Sequence, residues 1–357
     1  MFHLSIGALY QIDYFQLFSI PIVLIIIAEI IFLRRSTNPY QYNDAMSSIA
    51  CGLVTTALTL LIIPLLDLLD WAAKHGMTLA LERADHFWSV VIFLGLVLAV
   101  DHGYYWGHRF CHIWNLGWAS HAVHHQSEHY KLTTAFRNSA FQPYFVAIFQ
   151  LPLLFIGFPL AWLISANSLV SLYQVWLHTE VIRTLPRWFE YLFNSPSHHR
   201  VHHGTNARYL DKNFGGIFIF WDRIYGTFRI EDETAIYGTM KRLDTWHPLT
   251  VQVEHFRGVF AWIKQKKSLK QGIAIWFQPP AALDESVETL NDSNRAAPYD
   301  TWIDVSSKYC VSVLLILSAI FLGFGITQKS TAAVCITAAL LFIIFSKVGR
   351  VLDRRQL

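Results

Sequence analysis

Apolar and polar positions fall in long blocks along this chain, and the blocks set the first reading of its architecture. Phe15 to Leu33 is an almost unbroken apolar run, about long enough to cross a bilayer as a helix, and it closes on Arg34 and Arg35. Those arginines are expected on the cytoplasmic side. A second run, Ser47 to Leu69, returns outward. A third, Phe87 to Val100, comes back and continues into Asp101-His-Gly-Tyr-Tyr-Trp-Gly-His108. The apolar stretch between Pro143 and His178 is broken by Gly157-Phe-Pro159, which predicts two helices in a hairpin, not one. Tyr309 to Ile326 and Thr331 to Phe345 flank a short polar turn and leave Arg350, Arg354 and Arg355 in the cytoplasm.

These blocks predict an all-α, polytopic integral membrane protein with transmembrane helices and a cytosolic helical cap. Residues 1–100 form the N-terminal transmembrane helices. Residues 101–255 form a polar, histidine-rich region interrupted by the membrane hairpin at about 143–178. Residues 256–308 hold a cytosolic surface helix and a linker, and residues 309–357 form a C-terminal transmembrane hairpin. Lys264, Lys266, Lys267 and Lys270 beside Trp262 and Trp276 read either as a helix on the membrane surface or as a plain solvated basic face. Asp284 to Pro298 reads as a linker. Glu29, Asp67 and Asp70, in or near the spans, read as carboxylates snorkelling to an interface.

Composition agrees with the blocks. The 357 residues are 54% hydrophobic and 15% charged, a balance suited to a bilayer. The net charge of +3 is small and its basic residues are dispersed, which argues against a nucleic-acid partner. Cys51, Cys111, Cys310 and Cys335 form no CxxC pair and read as buried small hydrophobes. The N-terminus lacks a basic region followed by a small-residue cleavage site, so the first run is expected to be a retained span.

The candidate chemistry is concentrated. Twelve of the seventeen histidines lie between His102 and His203, most of them in three patterns: His108-x3-His112, His121-x2-His124-His125 and His199-x2-His202-His203. Residues three and four apart share a helix face, so each pattern aims two or three imidazoles at one point. The topology puts all three patterns on one side of the membrane. Eight patterned imidazoles are twice what one tetrahedral metal takes, so two metals are the economical reading. Imidazole suits iron, copper, zinc and nickel alike. Iron is favoured because open metal positions beside lipid suit oxygen activation and attack on an unactivated C–H bond. A membrane haem would need axial histidines facing each other within the spans. A zincin needs His-Glu-x-x-His, whereas His108-Arg-Phe-Cys-His112 carries no glutamate.

The patterns and their neighbours also carry a resemblance. Tyr-Tyr-Trp-Gly-His-Arg109, Ser-His-Ala-Val-His-His-Gln-Ser-Glu128, Trp176-Leu-His-Thr-Glu180 and Asn194-Ser-Pro-Ser-His-His-Arg-Val-His-His-Gly204 resemble the sterol desaturase and fatty acid hydroxylase superfamily. Leu132-Thr-Thr-Ala-Phe-Arg-Asn-Ser139, Asp211-Lys-Asn-Phe-Gly and Trp221-Asp-Arg-Ile-Tyr-Gly-Thr-Phe228 extend the similarity to about Val97 through His255. Within the superfamily the likeness is greatest to the branch that oxidises alkylglycerols.

The resemblance implies a membrane di-iron oxygenase with His108, His112, His121, His124, His125, His199, His202 and His203 as ligands. It adds His178, in its Trp-Leu-His-Thr-Glu context, as a ninth. His198, displaced by one position from the ligating face, is a candidate to support a ligand without binding metal itself. His102 and His129, and His3, His75, His86, His247 and His255 further off, read as ordinary surface or interfacial residues. Asp101, Glu128, Glu180, Asp211 and Asp222 are candidates to orient ligand imidazoles through their second nitrogens, with helix caps or surface ion pairs as the alternative.

The expected activity is hydroxylation of a lipid C–H bond with O2. The nearest branch implies attack on the carbon next to an ether oxygen, releasing fatty aldehyde and a glycerol. A sterol, carotenoid or fatty acyl substrate at the same site is the second enzyme reading, and a histidine-rich metal transporter or sensor is the reading from another class. The chain shows no dinucleotide loop and no Cys-rich iron–sulfur pattern, so an external electron donor is expected. Resemblance to the alkylglycerol branch implies tetrahydrobiopterin, while other superfamily members use electron-transfer proteins.

Overall fold

A computed structural model describes residues 13–60, 86–280, 298–326 and 331–354. The described residues are helical, apart from loops and one isolated bridge between Phe193 and Phe218. Three described helices are long and apolar enough to cross a membrane: Phe87–Ile113, Val305–Gly325 and Ala332–Leu352.

The N-terminal apolar run is not one helix. α1 (Tyr14–Leu17) stops at Phe18, and α2 (Ser19–Leu33) restarts beyond it. Pro21 explains the break, since its ring clashes with the carbonyl four residues back, that of Leu17, and it offers no N–H. At 1.5 Å per residue, the 15-residue α2 is ~22 Å long, shorter than the ~30 Å hydrocarbon core. α1 is held instead against a later helix, α8 (Leu160–Val175), where Ser168 Oγ accepts from Tyr14 N at 2.9 Å.

α3 (Tyr42–Leu60) begins the second run, whose remainder to Leu69, with Asp67, Asp70 and His75, lies outside the described residues, as does His3. α4 (His86–Ile113) is a single 28-residue helix, ~42 Å long, so it outreaches the hydrocarbon by about two turns. Its apolar first half packs on α8, and its last turns carry His108 and His112 out of that packing.

The stretch after Pro143 is divided further than the sequence suggested. α6 (Gln142–Ile148) and α7 (Leu151–Ile156) are short, α7 ends on left-handed Gly157 (φ 106°), and α8 (Leu160–Val175) follows Pro159. Phe93, Leu96, Val97 and Val100 of α4 interlock with Trp162, Leu163, Ala166 and Val170 of α8 as one apolar core.

A second core joins α3 to the last two helices, α14 (Val305–Ile326) and α15 (Thr331–Leu352), through Ala50, Val54, Val311, Leu315, Leu341 and Phe345. Cys51 and Cys111 are buried as expected. Cys310 and Cys335 are exposed on α14 and α15, where a long apolar helix turns one face outward.

The further helices are α5 (Asn115–His125), α9 (Arg187–Leu192), α10 (Pro196–His203), α11 (Phe220–Tyr225), α12 (Pro248–Ile263) and α13 (Leu269–Ile275). α5 sits between α4 and α12. Its tight corner with α4 needs Gly117, because a Cβ there would lie 2.5 Å from Cys111 Cα. α13 exposes Leu269 and Ile273, and Phe260 and Phe277 flank them, beside the lysines at 264, 266, 267 and 270. Such a surface suits a membrane interface better than a solvated basic face. The stretch read as a linker lies almost wholly outside the described residues.

Candidate metal centre

α5 and α10 each present one face of histidines three and four apart. α10 is set by Ser195, whose side chain caps the helix by accepting from His198 N, and by Pro196 at its first position. Every residue of α10 and most of α5, including all its histidines, are buried.

The structure brings nine imidazoles into two adjoining groups. His108, His112, His121, His125 and His202 form one, and His124, His178, His199 and His203 the other, with the ligand atoms of each group within 4.8 Å of one another. The groups touch: the rings of His125 and His203 stack with centroids 4.3 Å apart, and those of His121 and His124 lie 5.3 Å apart. These nine are the eight patterned residues and His178.

The hydrogen bonds decide where the lone pairs point. A carbonyl only accepts, so an imidazole nitrogen facing one must carry the proton. His178 Nδ1 donates to Gln174 O at 2.9 Å, and His124 Nδ1 donates to Arg137 O at 3.3 Å. Both neutral rings therefore present bare Nε2 atoms, and these two face each other at 3.3 Å. No hydrogen bond joins two acceptors. His199 Nε2 lies 3.0 Å from His178 Nε2, with its own Nδ1 buried and unpartnered.

The five-histidine group repeats the arrangement. His108 Nδ1 donates to Phe214 O at 2.9 Å, and its Nε2 lies 3.0 Å from that of His121, which is 3.1 Å from that of His125. His202 Nδ1 donates to Lys212 O at 3.0 Å, while Nε2 of both His202 and His112 is buried without a partner.

A proton shared between rings is the alternative to a metal, and burial opposes it. Burial, reinforced by neighbouring imidazoles, holds His121, His124, His125, His199, His202 and His203 well below the usual histidine range. Burial likewise lowers His178 to about 4. Two nitrogens bound at about 2.0–2.1 Å to one metal, at a right or tetrahedral angle, sit about 2.8–3.4 Å apart. The observed separations match, so the donor set fits a metal in each group.

The expected carboxylate partners are mostly elsewhere. Only Asp211 approaches a candidate ligand, with Oδ1 3.6 Å from His112 Nδ1. Asp101 accepts from Ile217 N, Phe218 N and Trp221 Nε1, and Asp222 from Phe214 N, Gly215 N and Thr227 Oγ1. Glu128 accepts from Tyr299 N, and Glu180 pairs with Lys131 at 2.8 Å. The physical reason is that backbone carbonyls already take the imidazole protons. Two of those carbonyls, Lys212 O and Phe214 O, belong to one loop.

That loop is what residue-type reasoning missed. Asp211 (φ 55°) and Asn213 (φ 57°) both hold the left-handed conformation, which aspartate and asparagine tolerate best among non-glycine residues. Asn213 fastens the loop by donating from Nδ2 to His198 O and Arg229 O and accepting from Arg229 N. Asp222 fastens its far end. The motif Asp211-Lys-Asn-Phe-Gly was the available signal.

His198 belongs to neither group, and its ring packs edge-on to Phe228, 5.3 Å away. His102 Nε2 meets Tyr225 OH at 2.8 Å, and His247 Nδ1 caps α12 by accepting from Thr250 N. His129 is half-buried, and the His86 side chain lies outside the described residues. His255 is not an ordinary surface residue: its Nε2 is buried without a partner, and its ring meets Trp118, which packs on His112 and His125. Glu29 is not snorkelling either. It is buried and accepts from Leu132 N at 2.9 Å, from Tyr40 OH and from Thr179 Oγ1. Three donors hold it in the core.

Comparison with known proteins agrees with this geometry. The profile of the fatty acid hydroxylase family matches residues 93–227, which contain all nine histidines. Alkylglycerol monooxygenase of Homo sapiens is 32% identical over 91% of this chain and 74% of its own length. Its Danio rerio counterpart is 30% identical over 93% and 76%. Ornithine lipid hydroxylase OlsE of Rhizobium tropici is 30% identical over 42% of this chain and 46% of its own. No solved structure matches the chain significantly.

Proposed function

This chain belongs to the fatty acid hydroxylase family, and on that premise we propose that it is a membrane di-iron monooxygenase that oxidises alkylglycerols at the carbon next to the ether oxygen. The observation that carries the metal reading is the pair of bare, proton-free Nε2 atoms of His124 and His178 facing each other at 3.3 Å.

In this reading His108, His112, His121, His125 and His202 hold one iron, and His124, His178, His199 and His203 hold the other. Such a pair, when bound, supplies the reduction of O2 and the placement of one oxygen atom on a C–H carbon. The chain's own residues do the rest. Backbone carbonyls of Arg137, Gln174, Lys212 and Phe214 fix the tautomers so that lone pairs point inward. Burial of all nine rings excludes bulk water.

Hydroxylation beside an ether oxygen gives a hemiacetal, whose C–O bond breaks with transfer of the hydroxyl proton to the departing glycerol oxygen. The products are a fatty aldehyde and a glycerol. Electrons come from an external donor, with tetrahydrobiopterin as the reductant implied by the alkylglycerol branch. In this reading the arginines after α2 and near the C-terminus support a cytoplasmic face for the active site, by the excess of basic residues on that side of membrane proteins.

The test is turnover of a labelled alkylglycerol by the purified protein in lipid nanodiscs with O2 and a reduced pterin. Aldehyde release with two irons per chain is the expected result. Hydroxylation of another lipid without aldehyde release overturns the substrate, and a single intrinsic zinc with no O2 consumption after iron reconstitution overturns the chemistry.

A further inference from the structure

An apolar groove of about 410 Å³ opens between α2, α4 and α8, within the size range of small-molecule sites, roughly 300–1,000 Å³. Its walls include Phe18, Ile22 and Ile25 on one side, Val97 behind, and Leu172 and Trp176 opposite. Ile22 is buried while Ile25 is 54% exposed, so one lip of the groove opens outward where this part of the chain meets lipid.

Helix geometry gives the groove a direction. Phe18, Ile22, Ile25 and Glu29 are spaced by four, three and four residues, which puts them along one stripe. The stripe that lines the groove therefore runs on to the buried carboxylate. Glu29 accepts from the backbone of Leu132, itself a groove residue, and from the hydroxyl of Thr179, the neighbour of His178. Tyr130, two residues before Leu132, lies 5.6 Å from the His178 ring and 5.2 Å from that of His203. Glu29 thus ties the inner end of the groove to the segment that carries His178 of the four-histidine group.

We infer that this groove is the slot for one unbranched alkyl chain of the substrate, and that Glu29 is a positioning residue that fixes its inner end beside His178. The inference rests on the lipid monooxygenase reading and adds to it where the hydrocarbon lies and how it enters: along α2, α4 and α8, sideways from the bilayer. The walls come from three helices, of which α4 carries His108 and His112 and α8 leads into His178, and a groove between helices suits a narrow chain better than a rigid, broad sterol. Glu29 makes no contact with the chain. It ties α2 to Leu132 and Thr179, and so sets which carbon stops at the site.

Two variants and one label test this. Leu172→Trp fills the groove, and Glu29→Ala releases its end; neither touches a histidine. Leu172→Trp should lower kcat/KM for long-chain alkylglycerols on the order of tenfold or more while short-chain substrates and iron content hold. An equal loss at every chain length with iron retained overturns the slot. Glu29→Ala should lower the yield of product per O2 consumed, with Glu29→Gln restoring part of it through its amide oxygen. Unchanged coupling in Glu29→Ala overturns the positioning role.

A diazirine placed in a straight-chain lipid supplies a readout that needs no turnover. Label on peptides containing Ile22 or Leu172, displaced by unlabelled straight-chain lipid, supports the slot even if no aldehyde forms and the ether-lipid reading fails. Aldehyde release without label on either peptide overturns the slot and leaves that reading standing.

Discussion

The two histidine groups share two helices but are oriented by different devices. α5 gives His121 and His125 to the five-membered group and His124 to the other, while α10 gives His202 to the first and His199 and His203 to the second. What differs is the support. In the five-membered group, His108, His202 and His112 all look to the single loop 211–214, through Phe214 O, Lys212 O and the Asp211 carboxylate. In the four-membered group, His178 is held by the end of the helix it follows, through Gln174 O, and His124 by Arg137 O. One half hangs on a long-range loop, and the other is built from local structure beside the apolar groove. The two halves should therefore fail separately when their private parts are broken and together when the shared helices are.

The largest effects come from ligands that belong to one group alone. His108→Ala and His178→Ala should each bring turnover to background if, as proposed, the reaction uses a metal in each group. Each should keep part of its iron, and the two variants should differ in the spectrum of what remains. Identical residual spectra, or full turnover in either variant, would falsify the division into two sites.

Arg137→Ala attacks what both groups share. Its guanidinium is fully buried, donates from Nε to Val123 O at 3.1 Å and from Nη2 to Gln126 Oε1 at 3.0 Å, and lies 3.6 Å from the buried Asp44. Removing it leaves a buried carboxylate uncompensated, which costs about 3–5 kcal/mol. Thermal unfolding in detergent should move down accordingly, and the protein that stays folded should lose both metals in parallel. Selective loss of one metal would show that α5 is not the common frame.

Asn213→Ala tests the loop on which only one group depends. It removes three hydrogen bonds and puts alanine in a left-handed conformation it resists. Affinity at the five-membered group should fall about 10–100-fold, as for other outer partners of metal ligands, with the four-membered group unchanged. Asn213→Gly relieves the backbone but not the bonds and should recover part of the loss. Iron titration of the apoprotein followed by spectroscopy reads both.

How much of this was legible follows from what kind of interaction each feature uses. The histidines read out because helix periodicity is a property of residue type and spacing, so His121, His124 and His125 converge by geometry alone. The apolar blocks read out for the same reason, but run length concealed the break at Phe18, where a single proline outweighs a continuous apolar stretch. The orienting partners did not read out at all. Carbonyls of Lys212 and Phe214 are common to every residue, and only the φ values of Asp211 and Asn213 reveal that the loop is bent to present them. Glu29 was misread because its donors lie 11, 103 and 150 residues away, a distance over which no local pattern reports.

The smallest expected effect is at Asp211. It is the one predicted carboxylate that does approach a histidine, yet its side chain is 61% exposed and 3.6 Å from His112 Nδ1, so water screens the pair. Exposed pairs of this kind contribute about 0–1 kcal/mol. Asp211→Asn should therefore lower iron affinity at the five-membered group less than about fivefold, well short of Asn213→Ala two positions away. The reverse order would mean that charge, and not the carbonyls of the loop, orients this group, and the contrast between a loop-hung half and a locally built half would lose its basis.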